Sequence, residues 1–211
     1  MSQIDTGIRR LLASPAVYDF FQDLVGARRA RLRWIRECLK PFAGARILDI
    51  GCGTAELLKL LPSDIEYTGF DMSPAYIEAA RRRYGDRGRF TCERAGVFEA
   101  SAADGPASGG FDIAMAFGVL HHLDDEEARQ VFLGARKALK PGGRMVTFDP
   151  AFVPDQSVLA RFAASRDRGR NVRSPEAYAA LGRAAFPEIA VSVWHGALRI
   201  PYDHAILAGR A

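Results

Sequence analysis

The sequence predicts an α/β protein: a doubly wound, mostly parallel, seven-stranded sheet with helices on both faces, an N-terminal helical cap and an antiparallel C-terminal hairpin. Three observations carry this prediction. From residue 46 onward, short apolar runs alternate with helical patterns at the spacing of βα units. The first of those runs breaks into a glycine turn, in "RILDIGCGTAELLKLL" over residues 46–61. The last two runs, "IAVSVW" (189–194) and "DHAILAGR" (203–210), are too close together for a helical crossover, so they pair antiparallel at the sheet edge.

Each element has its own reason. Over residues 1–43, Ile8, Leu11, Leu12, Val17, Phe20, Phe21, Leu24 and Val25 recur at helical spacing, with Pro15 separating two segments. Arg28, Arg29, Arg31, Arg33 and Arg36 follow, interleaved with Leu32, Ile35 and Leu39, and read as the solvated basic face of an amphipathic helix. "RILDI" (46–50) is a buried strand, "AELLKLL" (55–61) a helix and "EYTGFD" (66–71) the second strand. In "SPAYIEAARRRY" (73–84), Ser73 is the expected N-cap and Pro74 takes the favoured first helical position. "GRFTCER" (88–94) is the third strand and 100–110 a small-residue loop. "FDIAMAFGV" (111–119) is the fourth strand, "DDEEARQVFLGARKAL" (124–139) a helix ending at "KPGG", and "RMVTFDP" (144–150) the fifth strand. The expected units are a cap over 1–43, a core over 44–150, an insert over 151–187 and a hairpin over 188–211.

Composition narrows the class. With 211 residues, 48% apolar and 26% charged, the chain suits one sizeable globular domain. A formal net charge of +4 neither requires nor excludes an acidic partner. Cys38, Cys52 and Cys92 are odd in number and form no C-x-x-C pair, which argues against a disulfide framework or a metal site. No apolar leader segment and no run of about 18 apolar residues is present, so the expectation is a cytoplasmic protein without membrane spans.

The glycine turn narrows the ligand. Gly51 and Gly53 form G-x-G, but Glu56 stands where the dinucleotide fingerprint has its third glycine. An acidic residue at that helix start repels a pyrophosphate, and no Gly-Lys-Ser/Thr follows to make a P-loop. Asp49 just before the turn points to a cationic group on the ligand. Asp71, 20 positions after Gly51 at the end of the second strand, is placed to accept hydrogen bonds from ribose hydroxyls. A nucleoside with a cationic head and no phosphate is S-adenosylmethionine.

On these residues the sequence resembles the class I, Rossmann-like S-adenosylmethionine-dependent methyltransferases. "ILDIGCGTAEL", "GFDMSPAYIEAAR", "FDIAMAFGVLHHLDD" and "ALKPGGRMVTFDP" are similar to successive family motifs, together covering residues 44–150. The resemblance implies that Asp49 orients the methionine ammonium and that Gly51, Cys52 and Gly53 line the cofactor with backbone. It implies that Asp71 holds the ribose diol and Met72 packs on the adenine, while Phe117 and Gly118 touch the methionine portion. An aspartate that many relatives place after the third strand is Arg94 here, a departure that leaves adenine to the backbone of Gly96 and Val97.

The acceptor is less legible. His121 and His122 follow the fourth strand and are candidate bases; His204, beside Tyr202 on the last strand, is a third. "AFGV" lacks the Asn/Asp-Pro-Pro-Tyr/Phe signature of base amino-group methylation. Tyr18, Phe20 and Phe21 are candidate covers for an acceptor, and Arg161, Arg166, Arg168, Arg170 and Arg173 form a candidate clamp for an acidic group. The expected function is methyl transfer to oxygen or nitrogen of a small molecule, of acidic, natural-product or sugar type. An RNA methyltransferase and a non-catalytic binder of the cofactor remain as alternatives, and the oligomeric state stays open.

Overall fold

The computed structural model describes residues 27–94, 110–166, 169–198 and 201–211. The expected helices before residue 27, with Tyr18, Phe20 and Phe21, lie outside the described residues, as do Gly96, Val97 and most of the 100–110 loop. Helix α1 (Ala27–Trp34) runs into a π-turn at Ile35–Leu39 and ends at Lys40, whose φ is 46°. Strands β1 (Arg46–Ile50), β2 (Glu66–Asp71), β3 (Gly88–Cys92), β4 (Phe111–Phe117), β5 (Leu139–Pro150), β6 (Ile189–His195) and β7 (Asp203–Arg210) form one sheet in the order β3-β2-β1-β4-β5-β7-β6. Pairings from β3 through β5 are parallel, and β7 runs antiparallel to both β5 and β6. Seven strands and a reversed hairpin agree with the sequence expectation. β7 lies inside the sheet, however, and β6 takes the edge.

Alternation along the strands sorts the core into two layers. Ile47, Ile113, Met115, Val146 and Phe148 face Trp34 and Leu39, together with Ile77 of α2 (Pro74–Tyr84). Leu48, Ile50, Ala114 and Met145 face Val131 and Phe132 of α3 (Asp125–Ala138), and Tyr178 of α5 (Pro175–Gly182). Asp124 and Glu127 close a capping box at the start of α3, and Ser73 caps α2 as expected. Helix α4 (Val158–Ser165) precedes α5 within the insert.

Three local expectations are corrected. Residues 55–61 do not form an α-helix: one 3₁₀ turn at Leu58–Leu60 is all that follows the glycine turn. Ala55 there has φ of 59°, outside helical backbone, and Pro62 supplies no amide to prolong the turn. Leu57, Leu58 and Leu61 are buried all the same, so the apolar periodicity reported burial and not helix length. Strand β5 begins at Leu139, ahead of the expected Arg144, through a register shift opposite Phe111 and Ile113. In α1, Arg31 is not on a solvated face. It is 8% exposed, among the buried Ala30, Trp34 and Ile35, while Leu32 is 39% exposed.

Candidate cofactor and acceptor site

The carboxyl ends of the parallel strands converge at the two turns that follow β1 and β4, where this architecture binds ligands. Gly51 (φ 71°) and Gly53 (φ 56°) occupy the left-handed region that glycine adopts without strain. At Gly51 the space is closed as well: an added Cβ would lie 2.7 Å from Cγ2 of Val119. At Gly53 nothing lies within 4 Å of such an atom, so this backbone faces open space. The turn is tied down by the Cys52 amide, which donates to the Phe70 carbonyl at 2.9 Å.

Two carboxylates flank the turn. Asp71 accepts the Gly53 amide at 3.0 Å on one oxygen and the Ser73 amide at 2.8 Å on the other. Burial raises its pKa, partly offset by those two amides. Each oxygen keeps lone-pair capacity for a ligand hydroxyl. Asp49 is 1% exposed and accepts the Tyr67 hydroxyl at 2.5 Å. Burial pushes its pKa up to about 7 and Asp71 adds to this, against the lowering effects of Tyr67 and Arg31. Cys52, half-buried in the same turn, has its thiol pushed up by burial and by both aspartates. Met72, 40% exposed, follows Asp71. Glu56 does not enter the site. Lys59, Arg83 and Tyr84 engage it and hold its pKa low despite burial.

Across the sheet, Gly118 (φ 72°) donates its amide to the Phe148 carbonyl at 2.7 Å, and the Phe117 ring stacks on Phe148 at 4.5 Å. His121 is buried, and its Nδ1 lies 2.9 Å from Oδ1 of Asp149, at the end of β5. The same oxygen accepts the His121 amide at 3.2 Å, and Asp149 is 1% exposed. The His122 ring lies 4.0 Å from that of His121. From the insert, Asn171 donates its amide to the His121 carbonyl at 3.0 Å. Gly169 presses on the imidazole so closely that an added Cβ would come within 2.2 Å of Cδ2.

The remaining candidates fall elsewhere. His204 is 3% exposed and stacks on Phe148 at 4.3 Å, as part of an aromatic wall with Trp194 and Tyr202. One face of its ring thus packs on Phe148, within the sheet's aromatic cluster. Among the described residues, the arginines of the expected clamp have separate partners. Arg173 donates to Asp125 and to the carbonyls of Leu120, Leu123 and Asn171, joining the insert to the start of α3. Arg161 and Arg166 lie over Phe152 and Phe162, Arg170 is exposed, and Arg168 lies outside the described residues. Arg94 approaches Glu127 at 3.8 Å. Sequence reading passed over Asp149, although it ends a parallel strand just as Asp71 does; that position was the available signal. Nothing local marked Gly169.

A parallel sheet with a glycine turn after its first strand, an acidic residue ending its second and a reversed strand beside its fifth defines a class of protein, the class I S-adenosylmethionine-dependent methyltransferases. Residues 48–145 match the family described as "Methyltransferase domain". O-methyltransferase rstn1 of Aspergillus nomiae is 34% identical over 148 residues, 67% of this chain and 64% of that one. O-methyltransferase cnsE of Penicillium expansum is 34% identical over 147 residues, 67% of this chain and 51% of that one. The chain thus spans between about half and just under two thirds of the length of these curated relatives. The solved structure of a SAM dependent methyltransferase from Archaeoglobus fulgidus shares the fold, with a TM-score of 0.72 over 92% of this chain and 99% of that one at 16% identity.

S-adenosylmethionine is the cofactor of this family, and the residues present fit it. The open backbone at Gly53 leaves room for close approach, Asp71 has acceptor capacity for vicinal hydroxyls, and Asp49 offers a buried carboxyl to a cation.

Proposed function

We propose that the protein is an S-adenosylmethionine-dependent O-methyltransferase acting on a hydroxyl of a small molecule, with His121 as proton acceptor and Asp149 as the group that orients it. The observation that carries this reading is the 2.9 Å contact between His121 Nδ1 and the buried Asp149 carboxylate. A carboxylate opposite Nδ1 favours the tautomer protonated there, leaving Nε2 as the basic nitrogen. Two relatives named as O-methyltransferases favour oxygen over nitrogen as the attacked atom.

Bound at the glycine turn, the cofactor supplies an electrophilic methyl on a sulfonium that departs as a neutral thioether. The chain's own residues then have distinct tasks. Asp71 takes the ribose hydroxyls, Asp49 faces the ammonium, and the backbone of Gly51, Cys52 and Gly53 permits close approach. Met72 flanks the adenine, and Phe117 and Gly118 line the methionine side. His121 accepts the proton of the acceptor hydroxyl through Nε2, and Asp149 compensates the imidazolium charge. His122, half-buried with its ring tilted against that of His121, borders the acceptor. The insert over 151–187 forms the acceptor side, because Gly169 and Asn171 already rest on His121. Orientation of acceptor and methyl carries much of the barrier reduction, and a positioned base adds about 10²- to 10⁴-fold.

The test is His121→Gln beside wild type, with an acceptor found by screening small phenols, hydroxy acids and amines. Turnover should fall by about 10²- to 10⁴-fold while affinity for S-adenosylhomocysteine stays within about twofold. Full turnover in the variant, with the wild-type pH profile, would remove His121 from the mechanism.

A further inference from the structure

The two edge strands of the sheet are built differently. β3 is five residues long, carries Arg89 within it and is followed at once by Glu93 and Arg94. A short, charged edge resists pairing with another chain. β6, at the opposite edge, runs for seven residues, "IAVSVWH", without lysine, arginine, aspartate, glutamate or proline. It pairs with β7 residue for residue over its whole length, with no bulge to twist the edge away. Among the described residues, β7 is its one strand neighbour, and no backbone hydrogen bond reaches its outer side. Ala190, Val191 and Ser192, at its middle, are exposed. A long, uncharged, regular edge of this kind is a template for a further strand.

We infer that this further strand is β6 of a second copy of the chain, joined antiparallel about a two-fold axis at Ser192 so that one sheet continues through both subunits. Centring the pair on Ser192 overlaps all seven residues of the strand. Val191 then meets the partner's Val193, and the large, buried Trp194 meets the partner's small Ala190. Opposed residues share a face, so the valines gather on one side of the sheet and Trp194 gains cover on the other. Charge agrees with that register. Arg33 of α1 lies over the Trp194 ring at 3.9 Å and gives its Nε to Glu37, which leaves its terminal nitrogens for a second carboxylate. Glu188 is exposed just before β6 and has no ion-pair partner among the described residues. In the centred register the partner's Glu188 is the diagonal neighbour of Trp194, within reach of Arg33. The arrangement also leaves the ligand sites open. β6 runs parallel to β1–β5, so the two-fold axis sends the two glycine turns to opposite ends of the joined sheet.

The experiment is sedimentation velocity of the full chain from about 1 to about 100 μM, a range that brackets the affinity of an interface at the small end of the specific class. Wild type should move from 23.1 kDa towards twice that mass as concentration rises. Val191→Lys sets two lysines diagonally across the axis and should weaken the dimer by about tenfold or more. Val191→Thr, β-branched and uncharged, should stay within about threefold of wild type. Arg33→Glu and Glu188→Arg should each weaken the dimer by about 3- to 10-fold, and the chain carrying both should return to within about twofold of wild type. Should Val191→Lys fail to fold, the charge reversals decide the matter, since Glu188 is exposed and the Arg33 side chain is 45% exposed. A wild type that stays at 23.1 kDa throughout, a dimer indifferent to Val191→Lys, or a double reversal no tighter than either single one overturns the pairing.

Discussion

The two halves of the site are built on different principles. The cofactor half is contiguous: Asp49, Gly51, Cys52 and Gly53 lie within five residues, and Asp71 joins them through the Gly53 amide. The proposed acceptor half is assembled from afar. His121 follows β4, Asp149 ends β5, Gly169 and Asn171 come from the insert, and Arg173 fastens that insert to the start of α3. A ligand common to a whole family can be held by a short backbone turn. A variable acceptor calls for side chains gathered from several elements, which change independently.

Three experiments would break or sharpen that contrast, beginning with the largest effect. Asp71→Ala should weaken S-adenosylhomocysteine by roughly 100- to 1,000-fold, because two charge-assisted contacts to a ribose are lost together with the anchor of the Gly53 amide. Calorimetry of the variant reads this directly, and near-wild-type affinity would mean that the turn alone suffices.

Arg173→Ala should act in the opposite way. It removes the bonds to Asp125 and to three carbonyls, so stability should fall by about 2 kcal/mol, or roughly 4–8 °C in Tm, for a chain of 211 residues. Affinity for S-adenosylhomocysteine should hardly move. If the thermal midpoint stays put and acceptor binding is lost instead, Arg173 belongs to an acidic-group clamp after all.

The third effect is titration of Asp49. With its pKa raised from 3.8 to about 7, this carboxyl is largely neutral below pH 7 in the free protein. Binding an ammonium favours the ionised form. Affinity for S-adenosylhomocysteine should therefore weaken by up to about tenfold per pH unit below 7, with proton release on binding near pH 7. The stability sign is the reverse of the usual carboxylate case. A raised folded-state pKa contributes stability that is full below pH 3.8 and is lost as pH climbs through about 7. Asp49→Asn should lack that loss, which denaturant midpoints measured between pH 4 and 8 would reveal. Parallel midpoints for wild type and variant across that range would place the carboxyl in a polar setting.

Those contrasts track what could be read from residues in a row. The strand rhythm, the reversed hairpin, the N-cap at Ser73 and the glycine turn that Asp71 joins through Gly53 were all legible, because each rests on local periodicity, backbone geometry or a turn. The 55–61 helix was misread because apolar spacing reports which side chains are buried, and Ala55 at φ 59° breaks the backbone that spacing alone would continue. Charge was misread for a related reason. Arg31 and Arg33 stand two residues apart in one basic run, yet Arg31 goes inward over Phe117 while Arg33 lies over Trp194 at 3.9 Å, with its side chain 45% exposed. His204, a candidate base by sequence, packs one face of its ring on Phe148, a contact that no local pattern marks.

By itself, then, the chain's order of residues determined the sheet, its handed alternation with helices and the glycine turn that suits a nucleoside, since these follow from interactions between near neighbours. Which of several equivalent polar side chains points inward was decided by tertiary structure. The contact of His121 with Asp149, the inward turn of Arg31 and the fastening of Arg173 to Asp125 each join groups that only packing brings within hydrogen-bond or Coulomb range.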